Sequence, residues 1–464
     1  MRDLGLAGFL GSLLILGLRR PFIFILGYIY IDIVSPQRLA YGPLGDVPVS
    51  LLMFALAILG WVITDRKDDV RIAPRQILMA LLLVYCGLTA YYIAEFQVEA
   101  FEKWDWVWKA MVFAIFLPLT LRTKLRIETV LLFMTLSLAA IVIGAGIKTV
   151  AGGSGYGSFA MMVDNNSGLY EDSTLSTVAI MMIPVILYFT KYGTVFRPDW
   201  KVSLFCYALV FACLLTPIGT QARTGLVCIA VLAMLILRDT KRRGLFIAGA
   251  ALGGLIALPL LPTAFAERMG TIRTFQADES ASTRVAVWLW TLDYVQENPL
   301  GGGFDAYRGN SFAYYTTEAT ESGGATTVHR RFMTDRARAY HSAYFEMLGE
   351  QGWIGLGLWL LIQGIGVLRM EWLRRRYRGE RAPPGYEWVS PLATALQHAQ
   401  IIYLVGALFV GIAYQPFVLM LLSVQIGLDT YLARIRKRDG FKPLSETLGE
   451  SGTPRLSPAM RAET

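Results

Sequence analysis

The chain has 464 residues, 55% hydrophobic and 17% charged, with a formal net charge of +8. Soluble domains carry about 25% charged residues, so this composition, with a mean hydropathy of +0.47, excludes an ordinary soluble enzyme and indicates an integral membrane protein. The positive charge is spread over loops and the tail, a pattern that fits membrane topology better than a nucleic-acid surface.

A helix through a bilayer core needs about 20 predominantly apolar residues. Apolar runs occur at 4–18, 21–34, 49–64, 76–94, 106–121, 127–147, 173–190, 202–219, 223–238, 244–262, 343–368, 394–413 and 416–432. Strand-type alternation is absent, so a helix bundle is expected rather than a barrel. The first two runs are short, separated by Arg19-Arg20-Pro21. They read as a half-depth pair or one broken crossing, retained in the membrane rather than cleaved. The expected fold is all-α: a polytopic bundle of about 12 crossings with one long periplasmic loop containing a surface helix. Its divisions are 1–262 (N-terminal membrane helices), 263–340 (the loop), 341–435 (C-terminal membrane helices) and a disordered cytoplasmic tail, 436–464.

Basic short loops set the orientation. The segments 121–126, 241–243, 374–376 and 434–438 should share the cytoplasmic face, and the loops between them the other. All four cysteines, Cys86, Cys206, Cys213 and Cys228, fall in apolar runs and read as small buried residues, not metal ligands.

The segment 263–340 is too long for a simple connection, and such loops usually carry function. It contains a helical repeat from Ser282 to Glu297, with Val285, Trp288, Leu289, Leu292 and Val295 at helical spacing. Asn298-Pro299 and Gly301-Gly302-Gly303 stop it. This helix either lies along the membrane surface or packs on the bundle as a lid. The basic residues of the loop are all arginine, whose planar fork binds two phosphate oxygens at once. Gly301-Gly302-Gly303 lacks the Lys and Ser/Thr of a P-loop and reads as a flexible turn.

Histidine is scarce: His329, His341 and His398 are the only three. His341 opens the helix after the long loop, a proton-exchanging group at a water–lipid boundary. Arg223 opens the helix after the Pro217-to-Gln221 turn, and Arg284 sits in the first turn of the loop helix. Helix starts favour anions, so the two arginines suit a pyrophosphate, and a neutral histidine suits proton removal from a hydroxyl. Helix-end arginines also snorkel to headgroups, and interfacial histidines can be structural. Glu346 and Glu350 either orient His341 or pair with an arginine. Asn165, within Asp164-Asn165-Asn166-Ser167, either bonds a sugar or belongs to a plain turn. His398 reads as a satisfied buried histidine, and Lys109 as interfacial. Gly349, Gly352 and Gly355 read as a strip for close helix packing.

His341-Ser342, nine residues, then Gly352-Trp353-Ile354-Gly355 resembles the histidine signature of the O-antigen ligase and O-antigen polymerase superfamily of bacterial membrane glycosyltransferases. Ser282-Thr283-Arg284 followed by Pro299-Leu300-Gly301-Gly302-Gly303 is similar to its Arg…Pro-Leu-Gly-x-Gly element. Thr220-Gln221-Ala222-Arg223-Thr224-Gly225 resembles its third element, with Val227 in place of the usual leucine. The N-terminal stretch from Arg2 to Leu39 looks like ligases associated with exosortase gene clusters.

The resemblance implies metal- and ATP-independent transfer, without a cofactor, of a glycan from undecaprenyl pyrophosphate to an acceptor hydroxyl. The acceptor would be a lipid A-core sugar or a protein, on the periplasmic face of the inner membrane. It makes His341 the general base and Arg223 and Arg284 the pyrophosphate ligands, with inversion at the anomeric carbon. Ser342, Glu346, Glu350, Arg338 and Asn165 are supporting candidates. A polymerase or protein O-oligosaccharide ligase of the same superfamily is the nearest rival, and a lipid-linked glycan transporter is the rival from another class.

Overall fold

A computed structural model describes residues 2–36, 47–67, 70–150, 169, 171–240, 243–244, 247–248, 279–322 and 325–439. Thirteen α-helices lie among the described residues: α1 Arg2–Arg19, α2 Phe22–Val34, α3 Val49–Thr64, α4 Pro74–Tyr92, α5 Gln97–Thr120, α6 Lys124–Val150, α7 Asp172–Phe189, α8 Trp200–Gly219, α9 Arg223–Asp239, α10 Glu279–Glu297, α11 Ala343–Arg376, α12 Val389–Gly406 and α13 Pro416–Asp439. Each helix other than α10 falls on an apolar run read from the sequence. The run at 244–262 and the tail beyond Asp439 lie outside the described residues, save for short helical pieces at 243–244 and 247–248. Among the described residues six helices are long and apolar enough to cross a bilayer, while Gly5–Arg19, Phe22–Val34 and Val49–Thr64 are shorter.

Helices α5, α7, α12 and α13 form the heart of the bundle, with α7 against α12 and α5 against α13. Helix α7 is almost wholly buried. A polar ladder ties four helices together: Arg75 Nη1 donates to Gln425 Oε1 (2.9 Å), Gln425 Nε2 to Gln400 Oε1 (3.0 Å), and Gln400 Nε2 to Gln363 Oε1 (2.7 Å). Such bonds hold helices where lipid supplies no hydrophobic drive between them. The four cysteines are buried and unbridged. His398 is also buried, with Nε2 3.3 Å from Asp239 and from Arg238.

The basic helix ends gather at one end of the bundle. Arg434 bonds the Leu121 carbonyl (2.8 Å), Arg374 pairs with Asp239 (2.6 Å), and Lys124 lies over Trp388. The starts of α5, α7, α9 and α11 stand at the opposite end.

The long loop departs from the all-α expectation. Besides α10 it carries an antiparallel hairpin, β1 Ser311–Ser322 paired with β2 Ala325–Arg336 from Ser311↔Arg336 to Ser322↔Ala325. Asn310 clamps its base: its side chain accepts from the Arg338 N–H (3.0 Å) and donates to the Arg338 carbonyl (2.7 Å).

Helix α10 packs on α11 as a lid. The face it buries is Thr283, Val287, Thr291 and Val295, while Val285, Leu289 and Leu292 stay exposed. The sequence-read stripe is therefore rotated about the helix axis. Trp288 explains the rotation: its ring stacks on Phe345 (4.9 Å, 2°) and its Nε1 donates to the Tyr340 carbonyl (2.9 Å).

Helix α11 is not the smooth helix its glycine spacing suggested. It breaks at Gly352 (φ +60°, ψ −164°). The carbonyls of Gly349 and Glu350 receive the N–H groups of Gly302 (3.0 Å) and Gly303 (2.9 Å), and Trp353 N–H donates to the Pro299 carbonyl (3.1 Å). The Gly301-Gly302-Gly303 segment is thus a docked strap rather than a flexible turn. Backbone that leaves the helical ladder at this depth persists because protein pairs its polar groups. A Cβ at Gly352 would run into the Pro299 carbonyl, and one at Gly301 would stand 2.5 Å from the Glu350 carbonyl. Gly352→Ala is therefore expected to cost at least about 1–3 kcal/mol and to lower the thermal midpoint in detergent. An unchanged midpoint would show that the break tolerates a side chain.

Candidate functional site

A cavity of about 580 Å³ opens at the end of the bundle away from the basic loops, between α5, the strap after α10, the 339–341 segment and the 410–416 turn. Its floor is charged. Lys103, on α5, lies 2.8 Å from Glu346, 2.7 Å from Glu350 and 3.5 Å from Asp305. Lysine and acids almost never bury alone, so the four groups must travel together. Phe304 and Tyr414 bracket the ammonium at 5.8 and 5.3 Å. The carboxylates are tied to backbone as well: Glu346 Oε2 accepts from Ala413 N–H (3.0 Å) and Glu350 Oε1 from Asp305 N–H (3.0 Å). The strap, the turn before α13 and the start of α11 therefore meet on one ion cluster.

His341 stands at the wall of this cavity, two residues before α11. Its backbone is left-handed, φ +48°. Gln221, Asp305 and Ala337 share that conformation, and all four lie in the loops at this end of the bundle. Non-glycine residues pay for positive φ, and such strain collects at functional sites. Partial desolvation, then the nearby Arg284 guanidinium, hold the imidazole below its ordinary value of 6.5; Glu171 opposes the shift and Arg338 adds to it. The ring is thus biased to its neutral, proton-accepting form near pH 7.

Arg284 owes its place to the α10 anchor. Trp288, one turn on, is bonded to Tyr340, the residue before His341. Glu171 caps α7, accepting from the N–H groups of Ser173 (3.2 Å) and Thr174 (2.6 Å), and lines the cavity opposite.

The sequence-derived candidates separate into groups. His341 and Arg284 come within electrostatic reach of one another. Arg223 opens α9 at the same end, where Gly225 packs on Ser176 of α7, but it is not among the residues lining the cavity. Glu346 and Glu350 line it, yet their carboxylates turn to Lys103, and the acid acting on His341 is Glu171. Ser342 caps α11 through its backbone, and its buried hydroxyl has no partner among the described residues. Arg338 is exposed and pairs with Asp335 (2.8 Å). Asn165 lies outside the described residues. Lys109 pairs with Asp105 (2.7 Å) at the surface, while Lys103, six residues earlier, is the buried cation that went unnoticed. Among the described residues no group of three or more His, Cys, Asp or Glu side chains is placed to share a metal ion.

Residues 208–360 match the family model described as O-antigen ligase. This match supports the resemblance to the O-antigen ligase superfamily. The matched stretch holds Arg223, Arg284, the strap, the hairpin, His341 and the break at Gly352. The matched family implies a glycosyltransferase-like ligase or polymerase, with a lipid-linked glycan and an acceptor as partners in general terms. Residues 1–194 match a family of unknown function (DUF5935), and this part supplies Lys103 and Glu171. A comparison with curated proteins gave no match. The cavity is thus assembled from both matched regions and the turn before α13.

Proposed function

We propose that this protein moves a glycan from an undecaprenyl pyrophosphate carrier to an acceptor hydroxyl at the periplasmic face of the inner membrane, as an O-antigen ligase does. The observation that carries this reading is an imidazole at the wall of the cavity, biased toward its neutral form, within electrostatic reach of Arg284 on the α10 lid, whose Trp288 bonds the neighbouring Tyr340.

In this reading His341 takes the proton from the acceptor hydroxyl. The oxygen attacks the anomeric carbon opposite the leaving group, the bond from that carbon to the phosphate oxygen breaks, and configuration inverts. Arg284, with Arg223, holds the pyrophosphate and stabilises the charge it gains. Arginine matches this task because its fork meets two phosphate oxygens together. No nucleotide or metal is required. The acceptor is a lipid A-core sugar, with a protein hydroxyl as the alternative.

Purified protein, lipid-linked glycan and lipid A-core, with chelator and without nucleotide, should yield glycan on the acceptor. A ladder growing on the lipid carrier instead would make the protein a polymerase. Translocation without transfer would overturn the reading.

Arg284 also supports a pH prediction. A base works when neutral, so kcat/KM should fall on the acid side with a midpoint below 6.5, the ordinary imidazole value. Arg284→Gln removes a group that lowers the imidazole pKa, so it should move this midpoint upward while cutting the rate about 10²–10³-fold. Glu171→Gln removes the opposing charge and should move it downward. Midpoints that do not move in these directions would separate the three residues.

A further inference from the structure

The cavity has the wrong charge for a pyrophosphate. Its described lining includes six carboxylates, Glu99, Glu102, Glu171, Asp305, Glu346 and Glu350, against Lys103 and Arg308 and the imidazole of His341. Both cations are already engaged, Lys103 by the floor acids and Arg308 by Glu99 at 3.5 Å. A pyrophosphate also offers acceptors only, and would meet mainly carboxylate acceptors here.

Beside the unpaired Tyr340 hydroxyl, two acceptor oxygens state what is missing. Gln415 lines the cavity, is 5% exposed, and its Oε1 has no hydrogen-bond partner among the described residues. Glu350 lines it too, is fully buried, and its Oε2 has none among them either. Unfilled buried acceptors are costly and call for donors. Hydroxyl groups are donors that carry no charge, and an ammonium group is a donor that an acidic wall attracts.

Resting on the transferase reading, we infer that this cavity is the acceptor subsite, that it takes a neutral or amino-bearing sugar ring, and that it rejects an acidic one. The pyrophosphate then lies outside, on the Arg284 side of His341. The imidazole stands between the two, as transfer requires. Glu99 and Glu102, half-buried and exposed on α5, act as the charge filter at the rim.

The test uses the full chain in nanodiscs of zwitterionic lipid, with methyl glucoside, methyl glucosaminide and methyl glucuronide as probes, read by saturation-transfer NMR. The glucoside and glucosaminide should bind, and the glucuronide about tenfold more weakly or not at all. Glu99→Gln with Glu102→Gln should narrow that gap. Gln415→Leu should weaken glucoside binding about fivefold and leave the affinity for undecaprenyl pyrophosphate unchanged. Glucuronide binding equal to glucoside, an unaltered gap in the rim variant, or no saturation by any sugar would overturn the assignment. Loss of undecaprenyl pyrophosphate binding in Gln415→Leu would also overturn it. If the wild-type chain binds no undecaprenyl pyrophosphate, the transferase reading fails, and the sugar panel still decides the cavity.

Discussion

His341→Asn is expected to cut glycan transfer by about 10²–10⁴-fold while the protein still inserts and keeps its thermal midpoint. The choice of asparagine follows from the backbone. His341 sits at φ +48°, where Asn is among the few side chains that settle readily and Ala is strained. An alanine variant would mix loss of a base with loss of local structure. Asparagine keeps a polar group at the wall and removes the proton acceptor. The measurement is the initial rate with saturating lipid-linked donor, beside a melting curve of the same preparation. A variant that retains more than about a tenth of the rate lies outside the range expected for a lost general base, and the role would pass to another group. A variant that loses rate and midpoint together would instead make His341 a structural residue of the α11 start.

Much of the helical frame was legible because bilayer crossing forces long apolar runs. The starts of α3, α7, α9 and α11 fall within a residue of the sequence boundaries. Helix α5 begins at Gln97, well before its apolar run at 106, because its first turns lie at the cavity end and carry the polar side chains of the site. The hairpin was missed although Gly323-Gly324 stands between two Thr-bearing segments, the first of which also holds Tyr314-Tyr315. A Gly-Gly pair at such a place is a hairpin signal. Charged residues scattered along both strands hid the two-residue alternation that would have confirmed it.

The site was legible in part. His341 and Arg284 are visible because each stands beside a local landmark, a helix start. Lys103 has no such mark. Its meaning comes from Glu346 and Glu350, more than two hundred residues away, and from a strap whose docking depends on the break at Gly352. Glycines three apart fit a packing strip and a helix break equally well, and only the partner backbone at Pro299–Gly303 decides between them. Long-range pairing of charge and backbone is the information that a single chain read locally does not hold.

That pairing makes Lys103→Met the second change with a large expected effect. The lysine side chain is 13% exposed and Glu350 is 0% exposed. Removing the ammonium leaves Glu346 and Glu350 close together without their cation, while Asp305 keeps only Arg308 at 4.0 Å. Breaking a buried pair in this way costs about 3–5 kcal/mol, chiefly because the stranded charge remains. The strap and the 410–416 turn are bonded to these same carboxylates, so their repulsion should loosen the cavity floor and the start of α11. The expected result is a clear fall in thermal midpoint together with loss of transfer. The double variant Lys103→Met with Glu350→Gln removes one stranded charge and should recover part of the midpoint. If the cost came from lost packing of the lysine stem alone, the second substitution would recover nothing. A Lys103→Met protein as stable and as active as wild type would mean that the floor acids do not need their cation, and the ion cluster would lose its place as the element that holds the cavity together.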